Sequence, residues 1–174
     1  MTLESGEPTY EHSVHWAPTP QAGALAGFIA SIPMGLVMIG LNRLLSQGSA
    51  APEPPKEITA EMAHRANVEE VVPSGRKWGL STWLGHLGYG AAAASLYPAT
   101  AHRMPLPDVV SGMLFGLMVW AGSYMGWLPA FNVLPPANQQ SSRRNAIMIF
   151  THLIWGSLTG LLVKRFVDQA RFDQ

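Results

Sequence analysis

The sequence predicts an all-α integral membrane protein: a four-helix bundle with one further amphipathic helix at its edge. Three observations predict it. The charges are segregated, because residues 12–42, 78–102, 109–142 and 145–163 hold 109 of the 174 residues and none of the 22 Asp, Glu, Lys and Arg. A helix or sheet in water needs a polar face, and a small soluble domain cannot forgo charge over four such runs. Each run also contains a stretch of about 20 residues, the length that crosses a ~30 Å hydrocarbon core at ~1.5 Å per residue. Finally, Pro-rich and charged segments punctuate the runs, at residues 50–55, 73–77, 103–108 and 135–144.

The chain then divides into a polar N-terminal tail, 1–21, a four-span membrane domain, 22–163, and a short C-terminal tail, 164–174. The first tail carries Glu4, Glu7 and Glu11 and no Lys or Arg. A secretory signal needs a positive start, so the first apolar run is expected to remain as a span. Span one covers about 22–44. Pro33 falls mid-run and predicts a kink, since neighbouring helices in lipid can satisfy the carbonyl it frees. Residues 56–72 read as a surface helix. Pro55 suits a first turn and Glu57 the positive helix end. Ile58, Met62 and Ala66 share one face, and Glu61, Arg65 and Glu69 are spaced for i,i+4 pairs. The apolar face is thin, which places this helix at the interface or on the loops.

Span two covers about 80–101. Span three covers about 109–128, with Asp108 as its cap and Trp120, Tyr124 and Trp127 spaced for one face. That aromatic row suits an interfacial belt and bundle core, or the wall of a flat lipid or pigment site. Span four covers about 145–163, between Arg143-Arg144 and Lys164-Arg165. Four spans put both ends on one side. The 45–79 and 129–144 loops, with Arg43 at the end of span one, carry seven Lys and Arg against four on the other face. The positive-inside rule then puts the 45–79 loop in the cytoplasm and both termini in the periplasm.

Glycines four apart mark helix-packing faces: Gly23 and Gly27, Gly112 and Gly116, Gly122 and Gly126, Gly156 and Gly160. Such spacing lets two backbones approach closely, within the chain or against another copy or subunit. Spans one and three share Gly-any-Leu-any-Gly. Spans two and four share His-Leu-any-aromatic-Gly-small, at His86–Ala91 and His152–Ser157. The alternation is consistent with two duplicated helical hairpins.

Several function classes are excluded. Net charge is zero, so no basic face is available to nucleic acid. There is no cysteine, so no disulfide, zinc–thiolate or iron–sulfur site. No nucleophile elbow, P-loop or dinucleotide fingerprint occurs, no metal-ligand spacing is present, and no enzymatic activity is expected. No carboxylate or ammonium enters a span, which weakens coupled transport. His86 and His152 are the exception to this apolar interior. Each shares a face with glycines four residues on, at similar depth in spans of equal direction. Two inward imidazoles of this kind fit axial ligation of haem or a chlorophyll-type pigment, or hydrogen bonds to Ser, Thr or Tyr on neighbouring helices.

The stretches His86-Leu87-Gly88-Tyr89-Gly90, Gly112–Gly116 with Trp120, Tyr124, Gly126-Trp127 and Pro129, Arg143-Arg144-Asn145 and His152-Leu153-Ile154-Trp155-Gly156 resemble, in order, the YagU-like family of small bacterial inner-membrane proteins. The resemblance covers roughly 20–163. It implies a four-helix inner-membrane protein, carries a loose association with acid tolerance and transfers no catalytic residue. The N-terminal tail has no counterpart in it. The leading expectation is a structural or accessory subunit that packs against other membrane helices in the lipid bilayer, in a complex or a homo-oligomer. The alternatives are a haem- or pigment-binding protein using His86 and His152, and a permeation or acid-stress protein.

Overall fold

Apolar runs rich in Ala, Leu and Met fold here as helices, and proline and glycine decide where those helices break. The computed structural model describes residues 19–45, 54–65, 76–100 and 104–172, and no strand occurs among them. The helices are α1 (Pro20–Leu45), α2 (Pro54–Arg65), α3 (Arg76–Ala94), α4 (Tyr97–Thr100), α5 (Asp108–Ala121), α6 (Leu128–Ala130) and α7 (Ser142–Phe172). A π-helical turn, Gly122–Trp127, joins α5 to α6, and a 3-10 turn, Ala137–Gln139, precedes α7.

Among the described residues three helical segments are long and apolar enough to cross a membrane: Pro20–Leu45, Asp108–Ala130 and Ser142–Ala170. This is a membrane protein by its helices. α3 falls outside that group because its run is diluted by Gly79, Gly85, Gly88, Gly90, Ser81, Thr82 and His86.

Each element has a local cause. Thr19 caps α1, its Oγ1 accepting from Ala22 N at 3.2 Å, and Pro20 takes the first helical position, where no N–H is needed. The helix continues through Pro33 to Leu45. The expected second span is interrupted: α3 stops at Ala94, a turn follows at Ser95-Leu96, and α4 resumes at Tyr97. Pro98 explains the break. It has no N–H to offer the Ala94 carbonyl, and its ring crowds that carbonyl four residues back. The expected third span is likewise uneven, because Gly126 adopts φ −109°, ψ −106° inside the π turn. The fourth helix is longer than expected and absorbs most of the predicted C-terminal tail, reaching Phe172. Residues 1–18 of the N-terminal tail and 66–72 of the predicted surface helix lie outside the described residues.

The long helices pack as antiparallel neighbours in the order α3, α1, α7, α5. At one end Gly23 of α1 meets Ala94 of α3, and further along Gly35 meets Trp83. α7 runs back along α1, with Trp155 beside Gly27 and Arg143 donating to Leu45 O at 2.6 Å. α5 lies along α7, with Gly112 against Gly156 and Asp108 against Gly160. α3 and α5 do not pack closely, and Tyr89 of α3 instead reaches the π turn that follows α5, its hydroxyl 2.6 Å from Ser123 Oγ.

α2 covers the end of the bundle near the 131–141 loop. Its Glu57 takes both terminal nitrogens of Arg144 from α7, at 3.2 and 2.5 Å. Arg65 pairs with Glu61 one turn back at 2.7 Å and donates to Asn132 O at 3.0 Å. Asn132 has φ 54°, the left-handed conformation that Asn tolerates better than most residues.

Candidate functional site

The glycine faces meet inside the chain. A Cβ on Gly23 would collide with Ala94 O, and one on Gly27 with Gly90 O and the Ala94 methyl. One on Gly112 would collide with Gly156 O, one on Gly116 with His152 O, and one on Gly160 with Asp108 O. These are main-chain contacts, which cannot swing aside, so six of the eight glycines sit where two backbones touch. The other two do not. Gly122 faces open space, and the nearest atom to a Cβ on Gly126 is Ala121 O of the same segment, at 4.0 Å. At about 100° per residue Gly122 falls roughly 120° round the helix from Gly116, so this pair lies off the face that Gly112 and Gly116 share and makes no close helix contact among the described residues of the chain.

Close contact of α1 with α3 and of α5 with α7 leaves a cavity of about 330 Å³ between the two hairpins, with α2 across one end. This is the lower end of the ~300–1,000 Å³ typical of small-molecule sites. Its wall is largely apolar. Met34 and Met38 come from α1, Ile58 and Met62 from α2, and Val119, Tyr124, Trp127 and Leu128 from the α5–α6 segment. Met148 and Trp155 come from α7. His86 and His152 both lie on this wall. Of the aromatic row, Tyr124 and Trp127 line the cavity. Trp120 packs behind them, its Nε1 buried without a partner among the described residues.

Both imidazoles are held the same way. His86 Nε2 lies 3.2 Å from Ser31 O on α1, and His152 Nδ1 lies 2.7 Å from Met148 O one turn back on α7. A carbonyl only accepts, so each of these nitrogens carries the proton. The other ring nitrogen of a neutral imidazole then keeps its lone pair: Nδ1 of His86 and Nε2 of His152. Trp83 stands edge-on to His86, and Tyr124 edge-on to His152.

The remaining polar groups on the four long walls satisfy one another. Trp155 Nε1–H is shared between Gly27 O, 3.2 Å, and Ser31 Oγ, 3.1 Å. Ser31 Oγ donates to Gly27 O at 2.7 Å. On the opposite side Trp127 Nε1 donates to Tyr89 OH at 3.4 Å, Tyr89 to Ser123 Oγ, and Ser123 to Val119 O at 2.7 Å. Tyr124 OH donates to the Met148 thioether at 3.4 Å. Among the residues that line these four walls every side-chain donor is used, and the polarity left over consists of lone pairs; the unpaired Trp120 Nε1 lies behind them.

Residues 21–160 match the model of a family described as a protein of unknown function (DUF1440). The chain belongs to this family. No curated protein and no solved structure matches it. The family match takes in His86, His152 and all eight glycines, so the cavity of this DUF1440 protein lies wholly within the family's domain. Sequence periodicity pointed to the two histidines. It missed Ser31, the residue that takes both Trp155 and His86, because a lone serine on a small-residue face carries no distinguishing signal. It also missed α2 as a wall of the site.

Proposed function

We propose that the protein is a four-span protein of a bacterial inner membrane whose cavity between the α1–α3 and α5–α7 hairpins holds a small apolar ligand anchored on His86 and His152. One observation carries the reading: two imidazoles with free lone pairs stand on the wall of a single, mostly apolar cavity. Polar groups inside a membrane domain are expensive and mark function by default. α3 counts as a span in this reading because it carries outward Leu80 and Leu84, with Leu96 just beyond, and packs along α1 from Gly23 to Gly35. Both ends of the membrane domain then lie on one side, placed in the periplasm by the charge bias of the loops. The matching contacts Gly27–Gly90 and Gly116–Gly156 support an origin in two duplicated hairpins, and the family membership supports the YagU-like assignment as its finer form.

Haem or a chlorophyll-type pigment is a second reading. It is favoured by the carbonyl anchors, since a ligating histidine usually donates its other N–H in this way. The accessory-subunit reading has less support. Six of its eight packing glycines are engaged within the chain, and the outward leucines are covered equally well by lipid. Permeation and acid-stress roles have no residue of their own in the site.

The test is purification of the full chain from its native membrane in mild detergent, followed by an absorbance spectrum and mass spectrometry of the extracted small molecules. The expected result is a retained compound that is lost from His86→Ala and His152→Ala chains of normal yield. A folded protein that retains nothing, coloured or colourless, overturns the proposal.

A further inference from the structure

We propose that the cavity selects a quinol-type molecule: a flat apolar ring bearing hydroxyl groups, whose tail leaves into the bilayer between α3 and α5. This rests on the ligand-holding reading above and names the ligand's class.

Hydrogen-bond accounting carries the inference. On the four long walls Trp155, Trp127, Tyr89, Ser123, Tyr124 and Ser31 have each spent their donor on a protein acceptor. Both histidines have spent theirs on main-chain carbonyls. On these four walls what faces the ligand is acceptor only, the lone pairs of His86 Nδ1 and His152 Nε2, and the further hydroxyl on the lining, Thr59 of α2, is already engaged. A ligand that brings hydroxyl donors satisfies them. A ligand that brings only carbonyl oxygens sets lone pair against lone pair and leaves buried acceptors unpaired on both sides. The reduced and oxidised forms of a quinone differ in just this respect. The site therefore distinguishes them by their hydrogens, with no electron transfer invoked.

The rest of the cavity fits the same molecule. No Asp, Glu, Lys or Arg lines it, so a charged ligand would be buried without a counter-charge. Tyr124 and Trp155 supply aromatic surface for a ring. The volume of about 330 Å³ suits a ring system without its tail. α3 and α5 do not pack closely, so the gap between them lets the tail remain in lipid. Such a ligand partitions into the membrane and needs no aqueous route.

The experiment uses the full chain in lipid nanodiscs, kept anaerobic, titrated with decyl-ubiquinol and separately with decyl-ubiquinone, binding being read from quenching of tryptophan fluorescence. Two hydrogen bonds at about 1–1.5 kcal/mol each correspond to a preference for the quinol of about 100-fold. His86→Phe and His152→Phe fill the space without the lone pair. Each is expected to weaken the quinol about tenfold while leaving the quinone unchanged, and Gly122→Ala, whose added methyl meets no atom within 4 Å, is expected to change neither. Equal affinity for the two forms in the unmodified chain overturns the proposal, whatever the variants do, and so does a preference that survives both His→Phe changes. If neither probe binds but another compound is retained through the histidines on purification, the quinol inference falls and the ligand-holding reading stands. If nothing is retained either, both fall.

Discussion

The indole N–H of Trp155 on α7 reaches the hydroxyl of Ser31 on α1 at 3.1 Å, and the main-chain carbonyl of the same Ser31 takes the Nε2–H of His86 on α3 at 3.2 Å. One small residue thus ties three helices together at the depth of the cavity. Trp155 is almost fully buried at 2% exposure, so its N–H has no solvent alternative. Trp155→Phe removes the donor and part of the ring. The expected loss of stability is about 2–4 kcal/mol, the sum of a lost buried hydrogen bond and a small cavity. Unfolding in a titration from mild detergent into sodium dodecyl sulfate measures it, and a change below 0.5 kcal/mol would show that this hydrogen bond does not hold the helices.

The glycines separate into two groups with opposite expected responses. Gly112→Ala and Gly156→Ala each push a methyl into the main chain of the facing helix. Overpacking of this kind costs about 1–3 kcal/mol, and more where the backbone cannot yield. Gly122 has helical dihedrals, φ −59°, ψ −31°, and open space beyond it. Gly122→Ala is therefore expected to stabilise by about 0.4–1 kcal/mol by restricting the unfolded chain. The same detergent titration on all three variants checks the contrast. Destabilisation of Gly122→Ala equal to that of Gly156→Ala would contradict the distinction.

Glu57 and Arg144 join α2 to α7 through two hydrogen bonds, with both side chains about a quarter exposed. A bidentate pair is stronger than an ordinary surface ion pair, but solvent still screens it. A double-mutant cycle with Glu57→Gln and Arg144→Gln is expected to give a coupling of about 0.5–1 kcal/mol that shrinks as salt is raised. A coupling that does not respond to salt would mean that shape rather than charge holds α2 in place.

The chain contains no cysteine, so single introduced cysteines report topology without background. Met62, Leu106 and Asn138 are exposed positions in α2, before α5 and before α7. If α3 crosses the membrane, Met62→Cys and Asn138→Cys react with an impermeant maleimide from one side, and Leu106→Cys reacts only from the other. Labelling of all three from one side would remove α3 as a span. The side from which Met62→Cys reacts in intact cells tests the periplasmic placement of the termini.

Much of the fold is legible in the chain because hydropathy is a local property. A charge-free run announces its helix whatever that helix later touches. Helical periodicity is local as well, which is why the faces of His86 and His152 could be read from glycines one turn away. The uneven parts of the helices were less legible. Pro98 carries a recognisable breaker signal, but prolines inside apolar runs have two outcomes here: α1 passes through Pro33 and α3 stops before Pro98. The outcome depends on what surrounds the freed carbonyl. The π turn at Gly122–Trp127 had no signature beyond two glycines that resemble a packing motif.

By itself the sequence determined that this is an α-helical membrane protein and that two histidines point inward. The tertiary structure alone decided that the glycine faces close on one another within the chain and that the histidines share one cavity. It alone decided which ring nitrogen each histidine has left free. The reason is that a small-residue face carries no address. Gly156 suits any close helix, and its partner is set by which antiparallel arrangement buries every face at once. The donor of Trp155 finds Ser31, 124 residues away, only after that arrangement exists. The chemistry offered to a ligand is what remains when such long-range bonds have been made.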